Sequence, residues 1–160
     1  VVGQHSDSMV PLFSRATYKA QNILDMVRDG QFSAEKIERV RQSLASTGAT
    51  ILKYNGVSAY FSPAACVTDI AESYLRNKER QFTASVRPLG VYGLDGEISI
   101  GVPVIANAQG VKPFEVSLSP EERLAFEKSV VDQMIQNKAL DEFSSRPEIG
   151  KAELKPFEPA

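Results

Sequence analysis

Apolar residues in the first half of the chain recur at the spacing of helices. This spacing predicts one helix over 17–29 and a second that follows Ser33, a residue type common at helix N-caps, and nears its end at Gly48. The pattern allows 51–52 to extend the second helix beyond a kink. The apolar stripes of the helices are expected to face the core first, or a subunit interface second.

A third helix is predicted to begin at Pro63 and to run to about Asn77. Proline suits the first turn of a helix, because an N–H at that position has no acceptor within the helix. Cys66 falls on the apolar face, so a buried and inert thiol is expected there rather than a nucleophile. The other members of that face are Val67, Ile70, Ala71 and Tyr74.

Beyond Phe82 the hydrophobic period changes from that of a helix to that of a strand. Apolar residues alternate over 82–86 and 98–102, and the turn pair Asp95-Gly96 stands between the two runs. This pattern predicts a β-hairpin, which 104–105 continue. A further short strand is predicted over 114–118.

The sharpest local signal is the start of the last helix. Ser119 is placed to cap it, Pro120 fits its first turn, and Glu122 stands three residues after the cap, as in a capping box. The segment 143–160 contains three prolines and is predicted to be an extended tail. Since no strand–helix–strand alternation is visible, the predicted fold class is α+β, an antiparallel hairpin sheet with several helices that include a long C-terminal one.

Composition narrows the classes of function. The 160 residues correspond to about one domain, and 42% hydrophobic with 24% charged residues are typical of a folded globular protein. The net charge of −2 offers no electrostatic basis for binding nucleic acid or an anionic membrane. One cysteine excludes an internal disulfide and multi-cysteine metal sites, so no metal is expected. With no signal peptide recognisable, we expect a cytoplasmic protein, and the start without Met favours a fragment.

His5 is the one histidine and the main candidate for proton chemistry. Two interpretations stay open from its context alone: a surface residue without a role, or a general acid–base among small neighbours that let a substrate approach. Asp7 and Ser8 are too close in sequence to form a hydrolase triad with it easily. The acidic residues at 121–122 are better explained by the positive end of the last helix. Neither G-x-G-x-x-G nor G-x-x-x-x-G-K occurs, so dinucleotide binding by this chain alone is not expected.

Four segments in order resemble one known family. GQHSDSMVP at 3–11 is similar to the pattern G-x-H-G-D-(S/T)-x-V-P, and SAYFSPA at 58–64 is similar to G-S-A-Y-Y-A-P-A. GVYG with GVPV within 90–104, and SPEE at 119–122, resemble its hairpin and the start of its last helix. Over about residues 1–140 the chain therefore resembles the NAD-dependent L-lactate/L-malate dehydrogenases, closer to the malate type.

The resemblance implies specific roles for four residues. His5 would accept the hydroxyl proton of the substrate as a hydride leaves the adjacent carbon, and would return the proton in the reverse direction. Ser58 and Ala59 would line the substrate pocket. Pro63 would face the nicotinamide, although a proline that merely starts a helix explains it equally well. Lactate-type members tend to carry Thr where Ala59 stands, so the small residue, which leaves room for a second carboxylate, favours malate.

Two positions depart from the family pattern. Ser6 replaces the usual glycine after the histidine, and would be strained if that position needed a positive φ. Val57 replaces the glycine before Ser58, which would crowd the turn.

The resemblance also implies what stands outside the chain. It assigns 1–142 to the C-terminal, substrate-binding domain, followed by the tail 143–160. It places three features upstream of this chain: the nucleotide fold, the aspartate that orients the histidine, and the arginine that binds the substrate carboxylate. NAD would then be bound mainly by that N-terminal domain, and the isolated chain would be inactive. The implied partners are a small 2-hydroxy or 2-keto acid, the N-terminal domain and further copies of the chain. A non-catalytic oligomerisation or interaction fragment is the alternative.

Overall fold

The computed structural model describes residues 1–145, which comprise helices and antiparallel strands. This confirms the predicted α+β class with a long C-terminal helix. The helices are α1 (Ile23–Arg28), α2 (Ala34–Asn55), α3 (Phe61–Leu75) and α4 (Pro120–Ser144), with a short 3-10 helix at Phe13–Arg15. The strands are β1 (Thr17–Tyr18), β2 (Gln21–Asn22), β3 (Arg80–Val86), β4 (Ile100–Asn107) and β5 (Gly110–Pro113).

Strand β4 is the centre of the main sheet. It pairs antiparallel with β3 from Val86↔Ile100 to Arg80↔Ala106, and with β5 on its other edge. Most of its side chains are buried, and Ile100, Val102 and Val104 on one face pack in the same core cluster as Phe126 of α4. The buried core cluster consists of Val2, Val10, Tyr92, Ile98, Ile100, Val102, Val104, Phe126 and Val130.

The connection between β3 and β4 differs from the predicted tight turn. Because Val86 pairs with Ile100, residues 87–99 form a long loop, and Asp95-Gly96 lies inside it rather than at a hairpin tip. Tyr92 of this loop is buried, and its ring lies 5.1 Å from that of Phe126, centroid to centroid. The apolar alternation that predicted a strand therefore belongs partly to a loop that packs into the core.

Residues 114–118 form no strand, contrary to the prediction. The ladder with β4 ends at Pro113: the N–H of Phe114 still donates to the carbonyl oxygen of Pro103 over 3.0 Å, but Pro103 has no N–H to return the bond. Beyond it, the backbone N–H of Val116 donates to the hydroxyl oxygen of Tyr92 over 2.9 Å. A side chain of the 87–99 loop thus takes the place that a neighbouring strand would have filled.

The helix predicted over 17–29 is shorter than expected. Only 23–28 are helical, and 17–22 form the small hairpin β1–β2 instead. Its two turn residues, Lys19 and Ala20, have φ of 48° and 65°, the left-handed conformation that two-residue hairpin turns require.

Helices α2 and α3 lie where they were predicted, but α2 runs past its predicted end near Gly48 and both helices are less buried than expected. Helix α2 continues through Gly48 to Asn55 and ends at Gly56, which has φ of 71°. Helix α3 contains Pro63 in its first turn, as predicted. Cys66, however, is exposed, so the prediction of a buried thiol is wrong. Cys66 stands seven residues before Ser73, on the same face of α3, but within the described residues this face is covered only in the C-terminal half of the helix, at Ile70 and Ser73.

The start of α4 has the predicted capping box. The Ser119 hydroxyl accepts from the backbone N–H of Glu122, and the Glu122 carboxylate accepts from the backbone N–H of Ser119 over 2.9 Å. The same carboxylate accepts from the backbone N–H of Ser14 over 2.9 Å and from its hydroxyl. Glu122 therefore joins α4 to the N-terminal segment. Helix α4 runs to Ser144, and the rest of the predicted tail lies outside the described residues.

The contacts of Glu122 set its protonation. The pKa of Glu122 lies below the ordinary value of 4.5. Burial alone would raise this pKa, but it is outweighed by hydrogen bonds from the Ser14 side chain and from the N–H groups of Ser119 and Ser14. The positive charge of Arg41 lowers the pKa further. The carboxylate consequently stabilises the fold above pH 4.5, and this contribution is lost as the pH falls through the lower, folded-state pKa.

Glu122→Gln is expected to lower the free energy of unfolding by about 1–2 kcal/mol at pH 7, because the capping box and a charge at the helix N-terminus are weakened together. The difference should shrink as the pH is lowered below 4.5, where the carboxylate of the parent chain becomes protonated. Urea denaturation at several pH values measures it. Glu121→Gln is the control, since Glu121 is exposed in the same turn. Equal effects of the two substitutions at all pH values would contradict this account.

Candidate functional site

The candidate site is built on the N-terminal segment, which folds back on itself and attaches to β4. Val2 and Val10 exchange backbone hydrogen bonds of 2.9 and 2.8 Å, which closes the loop between them at its base. Gly3 and Gly101 do the same across to β4, over 2.8 and 3.1 Å. His5 follows two residues after this attachment, so its backbone is held to the central strand of the sheet.

Glycine is required on both sides of that attachment. Gly3 has φ of 97°, a conformation that L side chains rarely adopt, and a Cβ atom there would lie 2.6 Å from the Ser129 Oγ of α4. A Cβ atom on Gly101 would lie 2.7 Å from the carbonyl oxygen of Gly3. The loop of His5 therefore sits as close to β4 and α4 as backbone atoms allow.

His5 is exposed and borders a cleft of about 640 Å³. Polar side chains of β3 and its surroundings line one side of the cleft, among them Thr83, Ser85 and Ser99, and Gln136 of α4 lines the other. Within residues 1–145, nothing forms a hydrogen bond or ion pair with the His5 ring. Both ring nitrogens are thus open to a ligand in the cleft or to a group from another domain.

The neighbours of His5 do not form a catalytic triad with it. The hydroxyl of Ser8 bonds to Gln4 and Ser129, not to the imidazole. Asp7 is exposed and borders two other clefts, one against α4 and one between α2 and α4. Ser6, which replaces the family glycine, is not among the residues with positive φ, so serine is unstrained there.

The other predicted site residues lie apart from His5. Ser58 and the half-buried Ala59 are in the connection from α2 to α3, and Pro63 is exposed in the first turn of α3. None of the three lines the cleft of His5, so their proposed contacts with substrate and nicotinamide stay predictions. Val57 is half-exposed, which leaves its side chain free space at the turn.

Sequence reasoning missed the residues of α4 that contact the histidine loop. Ser129 is fully buried and accepts a hydrogen bond of 2.8 Å from the backbone N–H of Gln4. A signal was present, because Ser129 stands next to Val130 and one turn from Phe126, on the buried stripe of the helix. A serine in an apolar stripe indicates a specific hydrogen-bond partner, because an unsatisfied buried hydroxyl is costly.

Two further findings bear on the kind of site. Within residues 1–145, no three His, Cys, Asp or Glu side chains come together as a metal site. In the same part of the chain, no helix combines the length and the apolar character needed to cross a bilayer.

Comparison with known proteins agrees with this architecture. The family model described as lactate/malate dehydrogenase, alpha/beta C-terminal domain, matches residues 1–141. The malate dehydrogenase of Neorickettsia sennetsu is 38% identical over 132 residues, which are 81% of this chain and 42% of that protein. The malate dehydrogenase of Francisella novicida is 32% identical over 148 residues, which are 91% of this chain and 46% of that protein.

Solved structures give the same result. The crystal structure of malate dehydrogenase from Plasmodium falciparum superposes with a TM-score of 0.81 at 30% identity, covering 88% of this chain and 45% of that one. The lactate dehydrogenase from Eimeria maxima, crystallised with NADH and oxamate, gives a TM-score of 0.84 at 29% identity, covering 96% and 47%.

The chain belongs to the lactate/malate dehydrogenase family, and it corresponds to the C-terminal alpha/beta domain of these oxidoreductases. It spans less than half the length of the relatives named above.

Proposed function

We propose that the chain is the substrate-binding domain of an NAD-dependent 2-hydroxyacid dehydrogenase that interconverts malate and oxaloacetate, with His5 as the proton carrier. The observation that carries the proposal is the placement of His5. The chain's one imidazole is exposed at the edge of a cleft, on a loop fastened to β4 through the Gly3–Gly101 pair.

The chemistry assigned to His5 is a proton transfer. Oxidation of a secondary alcohol removes a hydride from carbon and a proton from oxygen, and a neutral imidazole nitrogen within hydrogen-bond reach accepts that proton. In the reverse direction the imidazolium polarises the keto oxygen and protonates it. The open ring nitrogens of His5 suit both roles, because no partner within residues 1–145 competes for them.

The described residues fit one part of the cofactor. When bound, NAD supplies the acceptor for the hydride. Pro63 presents an exposed apolar ring in the first turn of α3, which suits contact with a flat nicotinamide. The chain has no glycine-rich loop for the dinucleotide phosphates, so the proposal assigns those to an N-terminal domain.

Malate is proposed over lactate on two grounds. Ala59 is small and half-buried, and a small residue leaves room for the second carboxylate of a four-carbon acid. The relatives from Neorickettsia and Francisella are both named malate dehydrogenase. A lactate dehydrogenase domain is the alternative substrate assignment, since solved structures of both types superpose on the chain.

The test joins this chain to the N-terminal domain of the Neorickettsia sennetsu enzyme and follows NADH oxidation. The fusion is expected to reduce oxaloacetate with a higher kcat/KM than pyruvate, while the 160-residue chain alone gives no turnover. Ala59→Thr in the fusion is the matched variant, and it should lower the preference for oxaloacetate because it narrows the proposed pocket. NADH fluorescence verifies that the nucleotide site of the fusion is formed.

An assembly role is the second candidate, and one observation favours it. Several large apolar side chains of the helices are strongly exposed, such as Tyr54 at 82% and Leu75 at 79%. Apolar surface of this kind suits a further copy of the chain or an adjoining domain. A fusion that binds NADH but turns over neither keto acid would contradict the dehydrogenase proposal and favour the assembly role.

A further inference from the structure

We propose that helix α4 positions the His5 ring through a hydrogen-bonded network centred on Gln4, and that Gln136 and Ser129 are positioning residues for the proton transfer. The proposal rests on the proposed function insofar as it concerns catalysis. Its structural half, that α4 holds the imidazole in place, can be measured separately.

The residue before His5 is anchored to α4 at two points. The backbone N–H of Gln4 donates to the Oγ of Ser129 over 2.8 Å, and its side-chain Nε2 donates to the Oε1 of Gln136 over 2.5 Å. Gln4 is 7% exposed and Ser129 is fully buried, so water competes little for the backbone bond. With Gly3 bonded to β4 on the preceding side, the chain entering His5 is held by both the sheet and the helix.

The rest of the network closes into a ring. The Oε1 of Gln4 lies 3.0 Å from the hydroxyl of Ser6 and 3.2 Å from that of Ser8, and both donate to it. Ser8 and Ser129 are 3.3 Å apart, oxygen to oxygen. One assignment of protons closes the ring: the Gln4 N–H donates to Ser129, the Ser129 hydroxyl donates to Ser8, and the Ser8 hydroxyl donates back to the Gln4 amide oxygen. Such a ring leaves the loop little freedom to shift around His5.

The Gln4–Gln136 contact also separates two clefts. Both residues line the cleft of His5, of about 640 Å³, and also a second cleft of about 590 Å³ on the side of Asp7 and Lys128. The hydrogen bond between their amides thus forms part of the wall between the two spaces. Its loss would connect the clefts and admit water beside the imidazole, which weakens the control of a proton transfer.

Ser6 contributes to this network in a way that glycine could not. Its hydroxyl donates to Gln4 and accepts from the backbone N–H of Ser8 over 3.2 Å. Position 6 is where the family pattern has glycine. The serine therefore ties the residues on either side of His5 to each other, which explains the departure as support for the loop rather than as a substrate contact.

The test compares Gln136→Leu with Gln133→Leu. The amide oxygen of Gln136 accepts the hydrogen bond from Gln4, whereas the side chain of Gln133, which lies one turn earlier on α4 and lines the same cleft, donates to Asn137 over 2.9 Å. Gln136→Glu is the rescue variant, because a carboxylate still accepts from the Nε2 of Gln4. The three variants share the same helix and differ in whether the bond to Gln4 survives.

The structural readout is the NMR signal of His5 in the 160-residue chain, where it is the one histidine. In Gln136→Leu the ring signals should move and broaden, and the amide proton of Gln4 should exchange about tenfold faster, because one of its two anchors to α4 is gone. Gln133→Leu and Gln136→Glu should resemble the parent chain in both respects. Ser6→Gly, a substitution at a half-buried loop position, replaces Gln136→Leu as the test variant if the latter does not fold.

The catalytic readout uses the fusion with the N-terminal domain and normalises kcat to the number of NADH-binding sites. Gln136→Leu should lower this kcat about tenfold with KM changed by less than about twofold, because misplacing the proton carrier affects the transition state more than substrate binding. Gln136→Glu should restore most of it. A merely structural residue would leave kcat per folded site unchanged.

The outcomes separate the two proposals. An inactive but NADH-binding parent fusion overturns the proposed function, and the NMR comparison still decides whether α4 positions His5. If Gln136→Leu and Gln133→Leu alter the His5 signals equally, or if neither does, the positioning role is wrong.

Discussion

His5→Gln in the fusion protein is expected to lower kcat by about 10²- to 10⁴-fold, the contribution typical of a positioned general acid–base. Glutamine is similar in size and still forms hydrogen bonds, but it cannot accept a proton from a hydroxyl group near neutral pH. Because His5 is exposed and makes no hydrogen bond within residues 1–145, its loss should leave the stability of the fold almost unchanged. The measurement is steady-state NADH oxidation with oxaloacetate, and NADH binding serves as the check on folding.

Asp7→Asn is the matched control for this substitution. Asp7 is exposed, two residues from His5, and it borders a different cleft, so removal of its charge should leave kcat close to that of the parent fusion. If His5→Gln retained more than a tenth of the parent kcat, the imidazole would not be the proton carrier. If Asp7→Asn were as damaging as His5→Gln, the carboxylate would be the orienting partner that the resemblance places upstream.

The features that could be predicted from sequence are those decided by neighbouring residues. The capping box is an example, since its Ser119 and Glu122 are three residues apart and satisfy each other's backbone groups. The start of α2 after Ser33 likewise follows from a local signal, whereas its end was predicted too early, near Gly48 instead of Gly56. The α+β class followed from the order of such elements along the chain.

The features that failed are those decided by tertiary packing. The predicted tight hairpin is wrong because the loop 87–99 packs Tyr92 and Ile98 into the core with Phe126, a residue far along the chain. The hairpin β1–β2 was missed because Lys19 and Ala20 are not the residues that usually adopt left-handed turns. Cys66 was placed inside because apolar spacing predicts a face but not whether a neighbour covers it.

The candidate site divides in the same way. The segment around His5 was recognisable because its residues are contiguous, whereas its partners Ser129 and Gln136 follow more than 120 positions later and meet it only in the folded chain. Ser58 and Pro63 were assigned by resemblance to a pocket that residues 1–145 do not form around His5.

Gly101 is where a very small change should disturb both fold and site. A Cβ atom at this position would lie 2.7 Å from the carbonyl oxygen of Gly3. That oxygen cannot move away without breaking the two backbone hydrogen bonds, of 2.8 and 3.1 Å, that join Gly3 to Gly101. Gly101→Ala is therefore expected to lower the free energy of unfolding by about 2–3 kcal/mol, from the steric clash and the weakened pair together. In the fusion it should also lower kcat, because the loop that carries His5 loses its attachment to β4.

Gly48→Ala provides a control of opposite sign. Gly48 lies inside α2, has an ordinary helical φ, and a Cβ atom there would meet nothing within 4 Å. Alanine should therefore raise the free energy of unfolding by about 0.5–1 kcal/mol, because it favours the helix over the unfolded chain. Urea denaturation of the two variants beside the parent chain measures both effects. A stability of Gly101→Ala equal to that of the parent would show that residues 1–10 are not held against β4 as described, and the argument that the sheet positions His5 would fail with it.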